Sequence, residues 1–331
     1  TRSLPPESKQ EAGQRLARGL ASVSDLLVEN FKPGMLESWG LGWEDLHAAN
    51  PKLVMVRVSG FGQTGPYRGK PGFGSIAEAL GGLRHLTGYP DLPPVRTGIS
   101  IGDSIAALYA TIGALTALRE VEVGGGEGQV VDVALTEAVF SLLESTLPEF
   151  DIFGVVRERT GSKLPGIAVS NTYRCADGAY LVIAGNGDSI FKRLMDGIGR
   201  PDLAEDPRFR TNADRVKYDD EIDAVLGEWS ALLTVEQALA VLDAAKVPAS
   251  KIYDIGDIAV DPQFLDRGMV LEFPLGDRTV KVPGVVPRLG TTPGTTEWLG
   301  PALGEHNREV FAGLLGISEV ELRQLAEEGV I

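Results

Sequence analysis

The chain has 331 residues, of which 43% are hydrophobic and 23% charged, a composition typical of a soluble globular protein long enough for two domains. Its net charge of -15 argues against nucleic-acid and anionic-membrane partners, because phosphate groups would be repelled. We see no apolar run as long as a membrane span, and the single Cys175 cannot form an internal disulfide, so we expect a cytoplasmic protein.

The first third of the chain alternates between helical and strand patterns. The periodicity predicts helices over 7–21, 35–39, 43–49 and 75–83, and strands over 25–28 and 53–58. The second strand runs into a glycine-rich stretch, SGFGQTGP, at 59–66. Alternating strands and helices predict a doubly wound parallel sheet, in which ligands bind at the carboxyl ends of the strands.

A lone carboxylate, Asp103, lies in the stretch ISIGDS at 99–104, before an apolar helical run over 105–119. An aspartate before such a run is the expected N-cap, because its side chain can accept an amide of the first turn. The same place offers a second role, since a carboxylate beside a helix N-terminus stays ionised and can act as a nucleophile. The residues alone favour the cap.

The rest of the chain has a different pattern. We predict a strand over 129–135, a helix over 136–147 and a polar linker over 154–166. A hairpin over 173–184, helices over 189–197, 221–230 and 234–246, and strands over 247–253 and 269–273 indicate a separate α+β domain. Thr234 and Gln237 have the spacing of a capping box. Two further helices close the chain, over 303–315 and 318–328.

The sequence offers little support for the common metal-binding, hydrolase and nucleotide-binding motifs. The three histidines and one cysteine lack the spacing of metal ligands, so we predict no metal site. The chain has no G-x-S-x-G elbow and no Walker loop. Gly60, Gly62 and Gly65 match the dinucleotide-binding pattern only loosely, and a proline follows instead of a helix.

Several segments, taken in order, resemble the class III CoA-transferases, also called the CaiB/BaiF family. They are LVENFKPG at 27–34, SGFGQTGP at 59–66, PVRTG at 94–98 leading into Asp103, and the glycine turn and strand over 124–135. Shorter matches continue to the end of the chain, so the resemblance covers essentially all of it.

The resemblance implies an α/β fold. It comprises a large, CoA-binding, Rossmann-like domain with a parallel sheet (1–155), a linker (156–172), a smaller α+β domain (173–285) and a C-terminal segment returning to the large domain (286–331). It also implies an interlocked homodimer. Family members usually carry a few tens of residues before the region of Thr1, so we expect the N-terminal part of the large domain to be missing here.

The resemblance also implies an activity, that of an acyl-CoA:carboxylate CoA-transferase with Asp103 as covalent nucleophile. The carboxylate would form an anhydride with the acyl group and then an aspartyl-CoA thioester, which a carboxylic acid acceptor discharges. Coenzyme A is then part of the substrate, and no permanently bound cofactor is expected. The positions that match the family's CoA site are Asn30, Phe31, Gly34, Met35 and Phe73, and the loop that shields the intermediate matches Gly161 to Gly166.

Two alternatives stay open. The family includes α-methylacyl-CoA racemases, which need a histidine and a glutamate beside the aspartate. Phe73 occupies the histidine position, Gly74 follows where an acid is frequent, and Asp188 occupies the glutamate position. Because one face of the substrate would then lack a base, we favour the transferase over a racemase-like isomerase. Gly74 and the missing N-terminal part also leave a non-catalytic CoA-binding protein as a hypothesis.

Overall fold

The computed structural model describes residues 9–331, which divide into two compact units. The first unit comprises residues 9–87, 92–159 and 300–331, and the second comprises residues 88–91 and 160–299. Each unit has its own hydrophobic core.

The first unit is built on a parallel sheet. Its strands are β1 Leu26–Glu29, β2 Val54–Ser59 and β3 Val130–Ala134, in the order β1-β2-β3. Its helices up to residue 159 are α1 Glu11–Ser22, α2 Met35–Ser38, α3 Trp43–Ala49, α4 Gly74–Leu80, α5 Leu83–Leu86, α6 Ile101–Arg119, α7 Leu135–Phe140 and α8 Thr146–Phe153. The predicted parallel sheet in a mixed α/β fold is thereby confirmed.

The central strand β2 is buried on both faces, which explains its almost continuous apolar sequence. Val54 and Val56 pack into a core with α6 and α7, whereas Met55 packs on the other side with residues of α1 and α3. Alanines spaced four apart, Ala106, Ala110 and Ala114, form the buried face of α6 and let it approach the sheet closely.

The helix α6 corrects one expectation. It continues into a π-helical turn, Glu120–Gly124, and the combined 24 residues have a mean hydropathy of 1.5. By length and composition alone this helix could cross a membrane, which we had not expected of any segment. One such helix is weak evidence, because a core helix passes the same test, and the alanine face of α6 packs on the sheet.

The second unit contains an antiparallel sheet and a separate hairpin. The sheet consists of β4 Ser170–Arg174, β5 Tyr180–Ala184 and β6 Ala249–Lys251, and the hairpin of β7 Val270–Leu275 and β8 Arg278–Pro283. The helices are α9 Asp188–Gly197, α10 Pro201–Ala204, α11 Asn212–Arg215, α12 Asp219–Ser230, α13 Val235–Ala244, α14 Ile255–Ile258 and α15 Pro262–Asp266, with 3-10 turns at Pro207–Phe209 and Val216–Tyr218. The capping box predicted at Thr234 and Gln237 is confirmed.

The C-terminal residues complete the first unit. A π-helical turn, Arg308–Ala312, and the helix α16, Glu319–Glu327, share a core with Leu16 of α1. We predicted a helix over 303–315, but the structure has only the π-helical turn Arg308–Ala312 there, so the helical segment is much shorter than predicted.

Several predicted bounds are wrong. The helix over 136–147 is two helices, because the chain turns after Phe140 and Glu144 adopts a positive φ of 51°. The helix over 75–83 ends at Leu80, where two glycines follow. The strand over 247–253 shrinks to three residues, and β8 was not predicted. The first two residues of the predicted helix over 7–21 lie outside the described residues, and α1 begins at Glu11.

Candidate functional site

Asp103 is the third residue of α6 and not its cap. The helix begins at Ile101, so Ser100 occupies the N-cap position. The cap interpretation is therefore wrong: the helix extends four residues upstream of the apolar run that we used to place its start. Asp103 is exposed to solvent, and its carboxylate makes no hydrogen bond or ion pair with any residue from 9 to 331.

Close packing between α4 and α6 places the Asp103 carboxylate. Gly102 is buried, and a Cβ there would lie 3.3 Å from the carbonyl oxygen of Gly74 and 3.3 Å from Cγ2 of Val139. The start of α6 therefore approaches the start of α4 across a glycine. In turn, a Cβ on Gly74 would overlap the carboxylate of Asp103. The absence of a side chain at Gly74 thus gives this carboxylate its space.

A cleft of about 280 Å³ lies beside this pair of helices. It is lined by the turn after β1, the end of β2 and the segment that leads into α4, and Phe73 is the residue directly before Gly74. Three predicted CoA residues, Asn30, Phe31 and Phe73, line the cleft together. All three are exposed, and Phe73 is 76% exposed to solvent.

Gly34 and Met35 lie just outside the lining of this cleft. Gly34 is the N-cap of α2 with a left-handed φ of 90°, and Met35 is the first residue of that helix. Both follow the cleft-lining residues Lys32 and Pro33 directly in the chain. The structure thus places all five predicted CoA residues on two adjoining segments.

Three cationic residues in the cleft were missed by the sequence analysis. They are Lys32, Arg68 and Lys70. None of them pairs with a carboxylate within residues 9–331, although the Lys70 ammonium lies 3.5 Å from the centre of the Tyr67 ring. Their positions in the sequence could have identified them. Lys32 follows the end of a predicted strand, and Arg68 and Lys70 follow the glycine-rich stretch after the next strand, and ligands bind at such strand ends. Unpaired cations in a cleft are suited to an anionic ligand.

A partly buried ion-pair network supports the loop that lines the cleft. Arg57 of β2 is 6% exposed and contacts both Glu29 and Glu37. Hydrogen bonding with Arg57 lowers the pKa of Glu37. Burial alone would lower the pKa of Arg57, but hydrogen bonds to Glu37 and Glu29 outweigh it and raise that pKa. Glu37 and Arg57 therefore stay ionised near neutral pH.

Gly161 and Gly166 lie in the second unit, at the ends of a loop held to α12. The Lys163 ammonium within this loop contacts Asp219 at 3.1 Å, Asp220 at 2.7 Å and Asp223 at 2.8 Å. Burial alone would lower the pKa of Lys163, but these carboxylates raise it well above its ordinary value. The loop is therefore held in place by ion pairs with α12 as well as by backbone hydrogen bonds, such as that from Gly161 to Gly88.

Asp188 is engaged by an arginine. It is the first residue of α9, and its Oδ1 accepts a hydrogen bond of 2.9 Å from Arg215, whose side chain is fully buried. The same guanidinium donates to the carbonyl oxygens of Ala168, Phe209 and Asn186. Asp188 is therefore engaged in an ion pair with a buried arginine of its own unit.

Histidine, cysteine and carboxylate side chains do not gather into a metal-binding group of three or more anywhere in residues 9–331. The described candidate site therefore consists of a free carboxylate, a tight glycine contact and a cationic cleft, all in the first unit.

Comparisons with known proteins show the family to which the chain belongs. The model of CoA-transferase family III matches residues 7–307. Succinyl-CoA--D-citramalate CoA-transferase of Chloroflexus aurantiacus is 49% identical over 333 residues, which span all of this chain and 82% of that protein. Formyl-CoA:oxalate CoA-transferase of Streptomyces avermitilis is 34% identical, again over all of this chain and 84% of that protein.

A solved structure supports the same assignment. The crystal structure of a CaiB/BaiF family protein from Brucella suis superposes with a TM-score of 0.82 and 33% identity. The match covers 95% of this chain and 81% of that one. The chain belongs to CoA-transferase family III, and it is an enzyme of that family that uses CoA thioesters as substrates.

Proposed function

We propose that this CoA-transferase works through a covalent aspartyl intermediate on Asp103. The observation that carries the proposal is the state of this carboxylate: it is exposed, has no partner within residues 9–331, and lies against Gly74 next to the cationic cleft. A nucleophile needs a free lone pair and open space on one side. A merely structural carboxylate at this position would be expected to pair with a backbone amide or a cation.

The proposed reaction proceeds in four steps. The Asp103 carboxylate attacks the thioester carbonyl, the C–S bond breaks, and an aspartyl-acyl anhydride forms with release of CoA thiolate. The thiolate attacks the aspartyl carbonyl, giving an aspartyl-CoA thioester and the donor's free acid. The acceptor carboxylate displaces CoA thiolate to form a second anhydride. The thiolate then attacks the acceptor's acyl carbon, which yields the new acyl-CoA and regenerates Asp103.

We propose that Lys32, Arg68 and Lys70 hold the phosphate groups of coenzyme A, and that Asn30, Phe31 and Phe73 contact the rest of it. Phosphates favour cations that have no internal partner. The cleft is close to the lower end of the volume range for small-molecule sites, about 300 Å³, and so suits one part of this long ligand. Gly34 and Met35 would then meet the ligand at the start of α2.

The relatives suggest which substrates to test. Succinyl-CoA is named in the Chloroflexus aurantiacus relatives that are 49% and 39% identical to this chain, with D-citramalate and L-malate as the partner acids. We propose succinyl-CoA as the donor and a hydroxylated dicarboxylic acid as the acceptor. Formyl-CoA with oxalate is the contrasting pair, from a relative that is 34% identical.

The isomerase alternative receives less support. It needs two proton-transfer groups, but Phe73 cannot transfer a proton and the Asp188 carboxylate is held by Arg215. Gly74, one reason for considering a non-catalytic protein, instead leaves the room that the Asp103 carboxylate occupies. Both observations favour the transferase.

We propose that the protein is a homodimer, because α6 and α8 leave large apolar side chains uncovered in the single chain. The family resemblance implies that the two chains of this dimer interlock. We also propose a cytoplasmic location, where CoA thioesters are made and where the free, buried Cys175 would stay reduced.

The test is to trap the intermediate. Incubation with succinyl-CoA and then hydroxylamine should convert Asp103 to a hydroxamate, which peptide mass spectrometry detects. Asp103→Asn should lose both the label and the transfer activity, by about a thousandfold or more. Asp45→Asn, an exposed carboxylate on α3, serves as the matched control and should retain both. Full transfer activity in Asp103→Asn would refute the mechanism.

A further inference from the structure

The turn between β1 and α2 is held at both ends by one guanidinium. Arg57 donates from Nε to Oε1 of Glu29, the last residue of β1, at 2.6 Å. Its other nitrogens form a fork with Glu37 in α2, at 2.6 Å and 3.3 Å. The five residues between Glu29 and α2 include Asn30 and Phe31, which line the cleft.

The network reaches the cleft through the backbone. The second oxygen of Glu29 accepts a hydrogen bond of 2.7 Å from the amide of Phe31. Arg57 thus fixes Glu29, and Glu29 fixes the backbone of Phe31. The Phe31 ring also packs edge-on against Trp39, with ring centres 5.3 Å apart. The position of this cleft-lining residue is therefore set from two sides.

Stability alone does not account for these charges. Arg57 is the only charged residue of β2, whose other side chains are apolar apart from Ser59. Glu29 and Arg57 are 5% and 6% exposed, and burying such a pair gives little net stability compared with well-packed apolar side chains. The charged groups do provide a two-pronged hydrogen-bonded contact between the Arg57 guanidinium and the Glu37 carboxylate. This contact has a fixed geometry, which an apolar contact cannot provide.

We propose that Arg57 is a positioning residue for coenzyme A binding, which acts by clamping Glu29 and Glu37 and so preorganising the turn over 30–34. This inference rests on the proposed function, because it assumes that the cleft receives coenzyme A. Arg57 itself does not line the cleft, so it acts through the turn. Preorganisation lowers the cost of ordering a loop at the moment of binding.

The test uses Glu37→Gln, which weakens one arm of the clamp at a half-exposed position and leaves the buried Glu29–Arg57 pair intact. Glu44→Gln on α3 is the matched control, because it removes a nearby exposed carboxylate that makes no ion pair within residues 9–331. Arg57→Lys keeps the charge but loses the fork. Binding of free CoA is measured by calorimetry, together with the steady-state constants for succinyl-CoA and the acceptor.

We expect Glu37→Gln to weaken CoA binding about five- to tenfold and to raise KM for succinyl-CoA in parallel. The value of kcat and KM for the acceptor should stay within about twofold, and Arg57→Lys should show the same pattern more strongly. Glu44→Gln should match the wild type.

Two results would overturn the inference. If Glu37→Gln and Arg57→Lys lower the melting temperature but bind CoA as the wild type does, the network is structural only, and the proposed function stands. If the wild type itself neither binds CoA nor transfers it, this inference fails together with the proposed function. The wild-type measurement therefore separates the two failures.

Discussion

Gly74 and Asp103 form a contact in which the glycine leaves space for the carboxylate of the proposed nucleophile. The first residue of α4 has no side chain, and the carboxylate occupies the volume that a Cβ would need. The buried Gly102 brings the two helices close enough for this contact. A small side chain at position 74 should therefore move the carboxylate of the proposed nucleophile.

Gly74→Ala should lower kcat about a hundredfold, because displacing a reacting group by about 1 Å can cost that much. The fold should survive, since alanine favours a helix more than glycine does. The measurement is steady-state transfer from succinyl-CoA, with circular dichroism to check folding.

Gly227→Ala is the control for this substitution. It also replaces a helical glycine, in α12, but no atom lies within 4 Å of the added Cβ. Its activity should equal that of the wild type. A Gly74→Ala variant with wild-type kcat would show that the carboxylate does not need this space.

The local pattern could not distinguish the two roles considered for Asp103, because an N-cap and a nucleophile use the same residue type before the same apolar run. The structure excludes Asp103 as the N-cap of α6, because the helix begins at Ile101. The cations of the cleft were missed for a different reason. Lys32 and Arg68 are distant in sequence, and only the parallel pairing of β1 and β2 brings their loops together.

Elements were predictable where periodicity was strong. The strands β1, β2 and β3 fall within one residue of the predicted bounds, because each is a short, mainly apolar run next to turn residues. The break between α7 and α8 was not predictable, since it depends on a positive φ at Glu144, a residue with no turn preference. The edge strand β8 was missed because its residues are mostly exposed and weakly patterned.

The loop over 161–166 in the second unit is an element whose order rests on charge. Lys163 meets three carboxylates of α12, and Ser162 donates to Asn171, which itself donates to Asp223. Removing the cation would leave three carboxylates facing one another. The Lys163 side chain is 29% exposed, so solvent weakens these pairs but does not cancel them.

Lys163→Met should therefore lower the free energy of unfolding by roughly 1 kcal/mol, which urea denaturation can measure. Limited proteolysis should also cut the loop faster than in the wild type. Lys217→Met, which removes a single exposed pair with Asp214, should change little. Equal stability and equal cleavage in Lys163→Met and the wild type would show that the charges do not anchor the loop.

The pH dependence of this difference follows from the pKa shifts. The hydrogen bond from Lys163 lowers the pKa of Asp220, so its contribution is present above the ordinary value of 3.8 and is lost as pH falls through the lower folded value. The raised pKa of Lys163 preserves the pairs on the alkaline side until pH exceeds its ordinary 10.5. The gap between wild type and Lys163→Met should thus stay constant near neutral pH and shrink below about pH 4.

The cationic cleft contrasts with the negative net charge of the whole chain. The chain carries 46 acidic and 31 basic residues, so an anion is repelled by most of its surface. Lys32, Arg68 and Lys70 nevertheless meet in one cleft without carboxylate partners within residues 9–331. A local cluster of cations in an acidic protein favours an anionic ligand at that place, and here the cluster lies in the cleft beside Gly74 and Asp103.

The exposed apolar surface of the first unit leads to a prediction about assembly. Leu108, Ile112 and Leu115 lie along one face of α6 and are 65%, 59% and 63% exposed in the single chain. Phe150 and Phe153 of α8 are 55% and 73% exposed. Side chains of this size are normally covered, and a second copy of the chain would cover them in the proposed homodimer.

Light scattering after size exclusion should therefore give twice the chain mass of 35.2 kDa. If the two chains interlock, dilution cannot separate them, because each would have to unfold to leave the other. The dimer should persist to the lowest measurable concentration, and in urea it should dissociate only together with unfolding, at a midpoint that rises with protein concentration. A dimer that dissociates on dilution into folded monomers would exclude interlocking, and a monomer at every concentration would exclude the dimer itself.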